Sequence, residues 1–181
     1  MFEEKLIRHC SPTLAGMKTG NMFSCEYDEE EKMKCKIREM NRDLGKKGLR
    51  FVPLKYDNSR ALIYVFRPDR LSCDLKNSDA CRLLNERGYC CDNCGKCVKH
   101  LIGRIKKEED FPHEVGLFLG YPPEDVSGFI DNSDNCKCVG CWKVYGDEKK
   151  ARKLFDKYKK CSRVYAEQFR NGRPLQKLAV G

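Results

Sequence analysis

The chain has 181 residues, with 36 basic against 27 acidic side chains and a net charge of +9. That length fits one domain with a core that stands without disulfide staples. Its longest clean apolar run, 61–66, falls far short of the roughly 20 residues of a membrane span. The charged first eight residues lack the apolar stretch of a signal peptide. A cytoplasmic protein with no membrane partner is therefore expected. Its thirteen cysteines are odd in number, so they read as free thiols or ligands and not as a disulfide framework.

In chain order, Ser11-Pro12 reads as the N-cap and first position of a short helix through Leu14 and Met17, stopping near Gly20. Met33, Ile37, Met40 and Leu44 recur at helical spacing, with Gly45 at the end. Phe51–Tyr56 and Ala61–Phe66 form a strand pair about the turn 57–60, and Pro53 puts the first of them at a sheet edge. Pro68-Asp69 opens a helical stretch to about Gly88, with Ser78-Asp79 capping its second half. A further helix carries Val98, Leu101, Ile102 and Ile105 on one face. Val115–Tyr121 reads as a buried strand, Pro122–Asp125 as a helix start, and Val139–Tyr145 as a fourth strand. Asp147 caps a long amphipathic helix with Ala151, Leu154, Phe155, Tyr158, Cys161 and Tyr165 on its apolar face. The expectation is a single α+β domain over 1–171, with a mostly antiparallel sheet of about four strands packed with helices, papain-like among its architectures. Residues 172–181 form a tail or strap.

Between Lys143 and Lys177 stand 12 Lys/Arg against four acids. Such a face attracts polyanions. The plainer reading is a solvated helix face with i,i+4 pairs, and since no nucleic-acid motif accompanies the charge, nucleic acid is not an expected partner. The sequence also lacks a P-loop, a Gly-x-Gly-x-x-Gly, a His-Glu-x-x-His and a serine nucleophile elbow, so nucleotide-driven chemistry has no motif support.

Two features carry candidate chemistry. Cys10, read as standing just ahead of a helix, would feel unpaired N–H groups and the positive end of the helix dipole, both favouring thiolate. A nucleophilic cysteine also needs a base, and of His9, His100 and His113 the last opens the Val115 segment. Cysteine at a helix start followed by histidine at a strand start is the chain order of papain-like enzymes. His9–Ala15 loosely resembles the Cys-helix of that group, but no glutamine precedes Cys10 and no Asn or Asp is clearly placed to orient His113. Cys138-Val139-Gly140-Cys141-Trp142 resembles papain's Cys-Gly-Ser-Cys-Trp; here it reads as strand and follows the histidine, so that likeness is set aside. The second feature is the pair of cysteine runs. Cys91, Cys94 and Cys97, with Cys138 and Cys141, have the spacing of zinc or iron–sulfur ligands. The plainer reading is small core residues.

Three segments together, His9–Gly16, Phe111–Pro122 and Gly140–Asp147, resemble the bacterial "domain of unknown function 3793" family, found largely in anaerobic Firmicutes. The resemblance spans essentially the whole chain. It implies a cytosolic single-domain protein of unassigned activity, with Cys10 and His113 in its signature segments. The leading expectation is a thiol enzyme without a cofactor, Cys10 as nucleophile and His113 as base, acting by acyl or amide transfer or hydrolysis on a small-molecule or peptide substrate. The competing expectation is an accessory protein binding zinc or an iron–sulfur cluster through the two runs.

Overall fold

The computed structural model describes residues 2–107, 111–132 and 134–181. The chain divides into two compact units. One runs through Asp69 and resumes over Tyr158–Gly181; the other is Arg70–Lys157. Among the described residues no helix is long and apolar enough to cross a membrane.

The first unit begins with α1 (Phe2–Leu14), then β1 (Gly20–Glu26), α2 (Glu30–Leu44), β2 (Arg50–Asp57) and β3 (Arg60–Phe66). Its sheet is antiparallel in the order β1-β3-β2. Pro53 therefore lies on an edge strand, as expected, and the ladder shifts register between Pro53 and Lys55. The β2–β3 turn has Asn58 at φ 45° and Ser59 at φ 58°. Both residues adopt the left-handed conformation that a two-residue hairpin turn demands. The apolar stripe expected on α2 is buried at Met33, Ile37, Met40 and Leu44. Leu6, Leu14, Leu44 and Leu49 are fully buried, each contributing about 1.5–3 kcal/mol by leaving water.

Two expectations for this region are corrected. Ser11-Pro12 does not start a helix, because α1 already starts at Phe2 and Pro12 lies in its last turn. The governing signal is the i,i+4 spacing of Phe2, Leu6, Cys10 and Leu14. Pro12 forfeits only the one bond its N–H would make to the Arg8 carbonyl; beyond it the loop takes the helix's last carbonyls, Ala15 N–H bonding the Ser11 oxygen at 2.9 Å and Met17 N–H the Pro12 oxygen at 2.8 Å. The segment beginning at Gly20, read as a helix stop, is the strand β1. Residues 172–181 form a strap whose short helix α9 (Leu175–Leu178) buries Leu175 and Leu178, followed by buried Ala179.

The second unit holds most of α3 (Pro68–Leu75), then α4 (Ser78–Asn85), α5 (Cys94–Lys107), α6 (Val115–Phe118), α7 (Pro123–Asp131), β4 (Cys138–Val139), β5 (Lys143–Val144) and the start of α8 (Glu148–Arg170). The cap of α4 is Asn77, not Ser78: its Oδ1 accepts from Asp79 N at 2.9 Å and Ala80 N at 3.2 Å. Asp147 caps α8 as expected, accepting from Lys150 N at 3.0 Å. The expected strand Val115–Tyr121 is instead α6 and a turn. A short apolar run fits a buried helix as well as a strand, so composition alone misleads there. The expected fourth strand is a hairpin of two short strands, Cys138 facing Val144 and Val139 facing Lys143. The α+β class thus holds, with a three-stranded antiparallel sheet and a separate two-stranded one in place of a single four-stranded sheet.

Candidate functional site

Cys10 lies in the third turn of α1 and is fully buried within the first unit's core. Burial pushes its thiol far above the ordinary range, against the opposing charge of Lys18. Its place towards the C-terminal end of the helix offers the negative end of the dipole, the reverse of what a thiolate needs. The adjacent His9 is exposed, and slight burial together with Arg8 and Lys5 lowers its pKa. His113 belongs to the second unit, in the turn before α6.

The second unit contains a cavity of about 550 Å³ whose aromatic wall is Phe111, Tyr121, Phe129 and Trp142. Polar groups reach it from His113, Asp125, Cys141 and Lys143. That volume is within the range of small-molecule sites. The segment leading into α6 supplies Phe111 and His113; α7 supplies Asp125 and Phe129; the β4–β5 hairpin supplies Cys141, Trp142 and Lys143.

Asp125, only 3% exposed, holds the hairpin in place. Its Oδ2 accepts from Trp142 Nε1–H at 2.7 Å, and its Oδ1 accepts from the backbone N–H groups of Tyr145 and Gly146, each at 2.7 Å. Trp142 stacks on Tyr121 at 4.5 Å between centroids and meets the edge of Phe155 at 4.6 Å. The close fit explains two glycines. A side chain at Gly140 would stand 2.2 Å from the Phe155 ring, and one at Gly116 would stand 2.8 Å from Val126 Cγ2. Burial pushes the Tyr121 hydroxyl up to about 12, with the Cys141 thiol adding to the effect. The same hydroxyl donates to the Cys141 carbonyl at 3.4 Å.

His113, exposed, lines the cavity with its ring 5.0 Å from Phe129 in an edge arrangement. Lys143 Nζ lies 5.6 Å from the same Phe129 ring centre, a cation–π distance. The next residue, Glu114, is 1% exposed. It accepts from Tyr89 Oη at 2.7 Å, bonds Arg104, and lies 3.8 Å from Arg87 Nε. This buried network fixes the backbone beside His113. In the sequence Asp125 reads only as part of a helix start, and nothing there marks Glu114.

Of the first cysteine run, Cys91 meets α4, its Sγ donating to the Cys81 carbonyl at 3.6 Å. Asn85 bridges two thiols: its Nδ2 donates to Cys81 Sγ at 3.5 Å and its Oδ1 accepts from Cys91 Sγ at 3.5 Å. Cys97 Sγ donates to the Cys90 carbonyl at 3.0 Å. Burial and the Cys81 thiol push Cys91 up to about 12. Cys94 opens α5, while Cys138 and Cys141 stand on the hairpin. Among the described residues, no group of three or more His, Cys, Asp or Glu side chains is arranged to hold a metal ion.

The described residues thus form an α+β protein with an aromatic cavity edged by a thiol, an imidazole and an ammonium. By sequence it belongs to the family described as "Protein of unknown function (DUF3793)", whose model matches residues 6–179. No curated protein and no solved structure matches the chain.

Proposed function

We propose that the cavity of the second unit is the functional site and that the chain is a thiol enzyme acting there on a small organic substrate. Cys141 in this reading, in place of Cys10, is the nucleophile, and His113 is its base. The observation that carries it is that Cys141 and His113 line one aromatic cavity, while Cys10 is sealed in the core of the other unit. The chemistry is papain-like in kind, though here the histidine precedes the cysteine in the chain. Cys141 Sγ gives its proton to the His113 ring and attacks the carbonyl carbon of an acyl substrate. The leaving group departs with that proton, leaving a thioester. Water or an amine then gives a proton to the ring and attacks the thioester. The acid or amide is released, and the ring returns the proton to sulfur.

The test is acylation by p-nitrophenyl acetate, followed as a burst of p-nitrophenolate and located by peptide mass spectrometry. The acetyl group is expected on Cys141. His113→Gln should slow that step about 10²-fold or more while leaving alkylation of exposed Cys35 and Cys73 unchanged. An unaltered Cys141 rate in H113Q, or acetylation of Cys10 in the folded protein, overturns the reading.

A second reading, binding of zinc or an iron–sulfur cluster, is favoured by the company Cys81 keeps with Cys91 through Asn85. Holding a metal would require the thiols of Cys81, Cys91, Cys94 and Cys97 to turn towards a common point. Elemental analysis and UV–visible spectra of anaerobically purified protein test it. Stoichiometric metal lost in Cys91→Ser supports it, and a colourless, metal-free protein removes it.

A further inference from the structure

We infer that Cys81 and Cys91 form a dithiol site that reduces low-molecular-weight disulfides and closes into an intramolecular disulfide as it does so. The inference is independent of the Cys141–His113 reading. It uses two of the sulfurs that the metal reading needs, and electron transfer and metal content are measured separately.

The fold, not the spacing, makes the pair. Nine residues stand between the two cysteines, so no C-x-x-C joins them. Cys81 lies in the first turn of α4, its N–H bonded to the Asn77 oxygen at 2.8 Å. The chain turns back directly after that helix. Gly88 takes φ 78°, a left-handed value that glycine adopts without strain. Its N–H bonds the Asn85 oxygen at 3.0 Å, and the Tyr89 N–H bonds the Leu84 oxygen at 3.1 Å. Tyr89 anchors the return: it is buried, stacks on His100 at 4.2 Å between centroids and donates to Glu114. Two residues later the chain delivers Cys91 to α4, where its Sγ meets the Cys81 carbonyl.

Asn85 polarises the pair. Its amide gives an N–H to Cys81 Sγ and takes the S–H of Cys91, each at 3.5 Å. Cys81 is thus the sulfur that accepts a hydrogen bond, and Cys91 the one whose proton is held. Burial first, then the Cys81 thiol, pushes Cys91 up to about 12, so it keeps that proton at neutral pH. Cys81 is therefore the attacking sulfur and Cys91 the resolving one. Two neighbouring thiols are engaged elsewhere. Cys97 is fully buried against the Cys90 carbonyl, and Cys90 donates to Asp92 Oδ2 at 3.7 Å. Cys81 and Cys91 are each half-buried, within reach of a small molecule. Cys81 Sγ attacks one sulfur of a disulfide R–S–S–R; its proton leaves with the first R–SH, and a mixed disulfide remains. Cys91 Sγ then attacks the Cys81 sulfur, its proton leaving with the second R–SH. Two electrons pass from the protein dithiol to the small disulfide, and one S–S bond is exchanged for another.

The test incubates the full chain, reduced and desalted anaerobically, with glutathione disulfide. The reaction is quenched with acid, free thiols are alkylated with N-ethylmaleimide, and the bonds are mapped by peptide mass spectrometry. Cleavage at Lys76, Arg82, Arg87 and Lys96 leaves Cys81 alone on peptide 77–82 and Cys91 on peptide 88–96. The expected first product is those two peptides joined, with fragmentation placing the bond on Cys91. Two equivalents of glutathione are released with it. Cys91→Ser should stall the reaction with one glutathione on Cys81, an adduct that the unaltered protein holds only in passing. Cys90→Ser should leave the rate unchanged. In urea the preference for this pair should vanish, since the fold alone brings the two sulfurs together. A first bond through Cys90 or Cys94, glutathione adducts with no internal bond, or the same pairing in urea overturns the proposal. The map of the unaltered protein decides the matter even if a variant fails to fold. Metal-free protein that forms this bond removes the metal reading alone.

Discussion

Asp125 shows how much one carboxylate can organise. Its three N–H partners come from Trp142, Tyr145 and Gly146, so one side chain on α7 fixes both the ring that walls the cavity and the chain leaving the hairpin. Asp125→Asn puts an NH₂ where an N–H already donates, leaving at least one buried donor unpaired. The expected cost is about 1–3 kcal/mol in chemical denaturation, with the Trp142 indole signal shifted as its hydrogen bond weakens. None of this was legible in the sequence, where Asp125 is one of the acids that commonly open a helix. Cys10 shows the converse. Its neighbourhood of Ser11 and Pro12 looked like a helix start, and only the stripe of Phe2, Leu6 and Leu14 says that the thiol faces a core. Signals carried by sequence neighbours were readable; those carried by partners some twenty residues away were not.

Arg67 governs an assembly of elements. Its guanidinium donates to the carbonyl oxygens of Thr13 at 2.8 Å, Lys47 at 3.1 Å, Leu14 at 2.8 Å and Val180 at 2.7 Å. The end of α1, the turn after α2 and the C-terminal strap are thereby joined at one planar cation. Lys47 Nζ adds a bond to the Ala179 oxygen at 2.7 Å, and Val180 N–H closes back onto Leu14 at 3.0 Å. Arg67→Met should destabilise the first unit by roughly 2–4 kcal/mol and raise amide exchange along 175–180. Arg67→Lys should rescue little, since an ammonium cannot fill a fork of acceptors. Elements with strong internal period, α2, α5 and α8, were legible, as was the β2–β3 hairpin from its flanking apolar runs. β1 was not: Gly20–Glu26 mixes polar and apolar residues and gains its identity only by pairing with β3. Nor was the β4–β5 turn, where Gly140 is needed because Phe155 packs against it.

The thiols tie the whole molecule to pH. Burial pushes Cys97 and Cys161, one in each unit, up to about 11 from an ordinary value near 9.0; at Cys97 the thiols of Cys94 and Cys90 push the same way. Unfolded thiols shed protons first as pH rises, so this contribution to stability is complete below pH 9 and is lost between about 9 and 11. Calorimetric Tm should fall across that window, and Cys97→Ala or Cys161→Ala should each flatten the slope while lowering Tm at pH 8. The division into two units was not readable, because both boundaries fall inside helices, within α3 and within α8, where no glycine- or proline-rich linker marks them. That division also sets a timetable. Residues 70–157 emerge from a ribosome as one uninterrupted stretch. Arg67 must wait for Val180, 113 residues later, a delay of roughly 5–25 seconds at ordinary translation speeds. Throughout that interval Leu175, Leu178 and Ala179, which belong to the first unit's core, are not yet there to complete it.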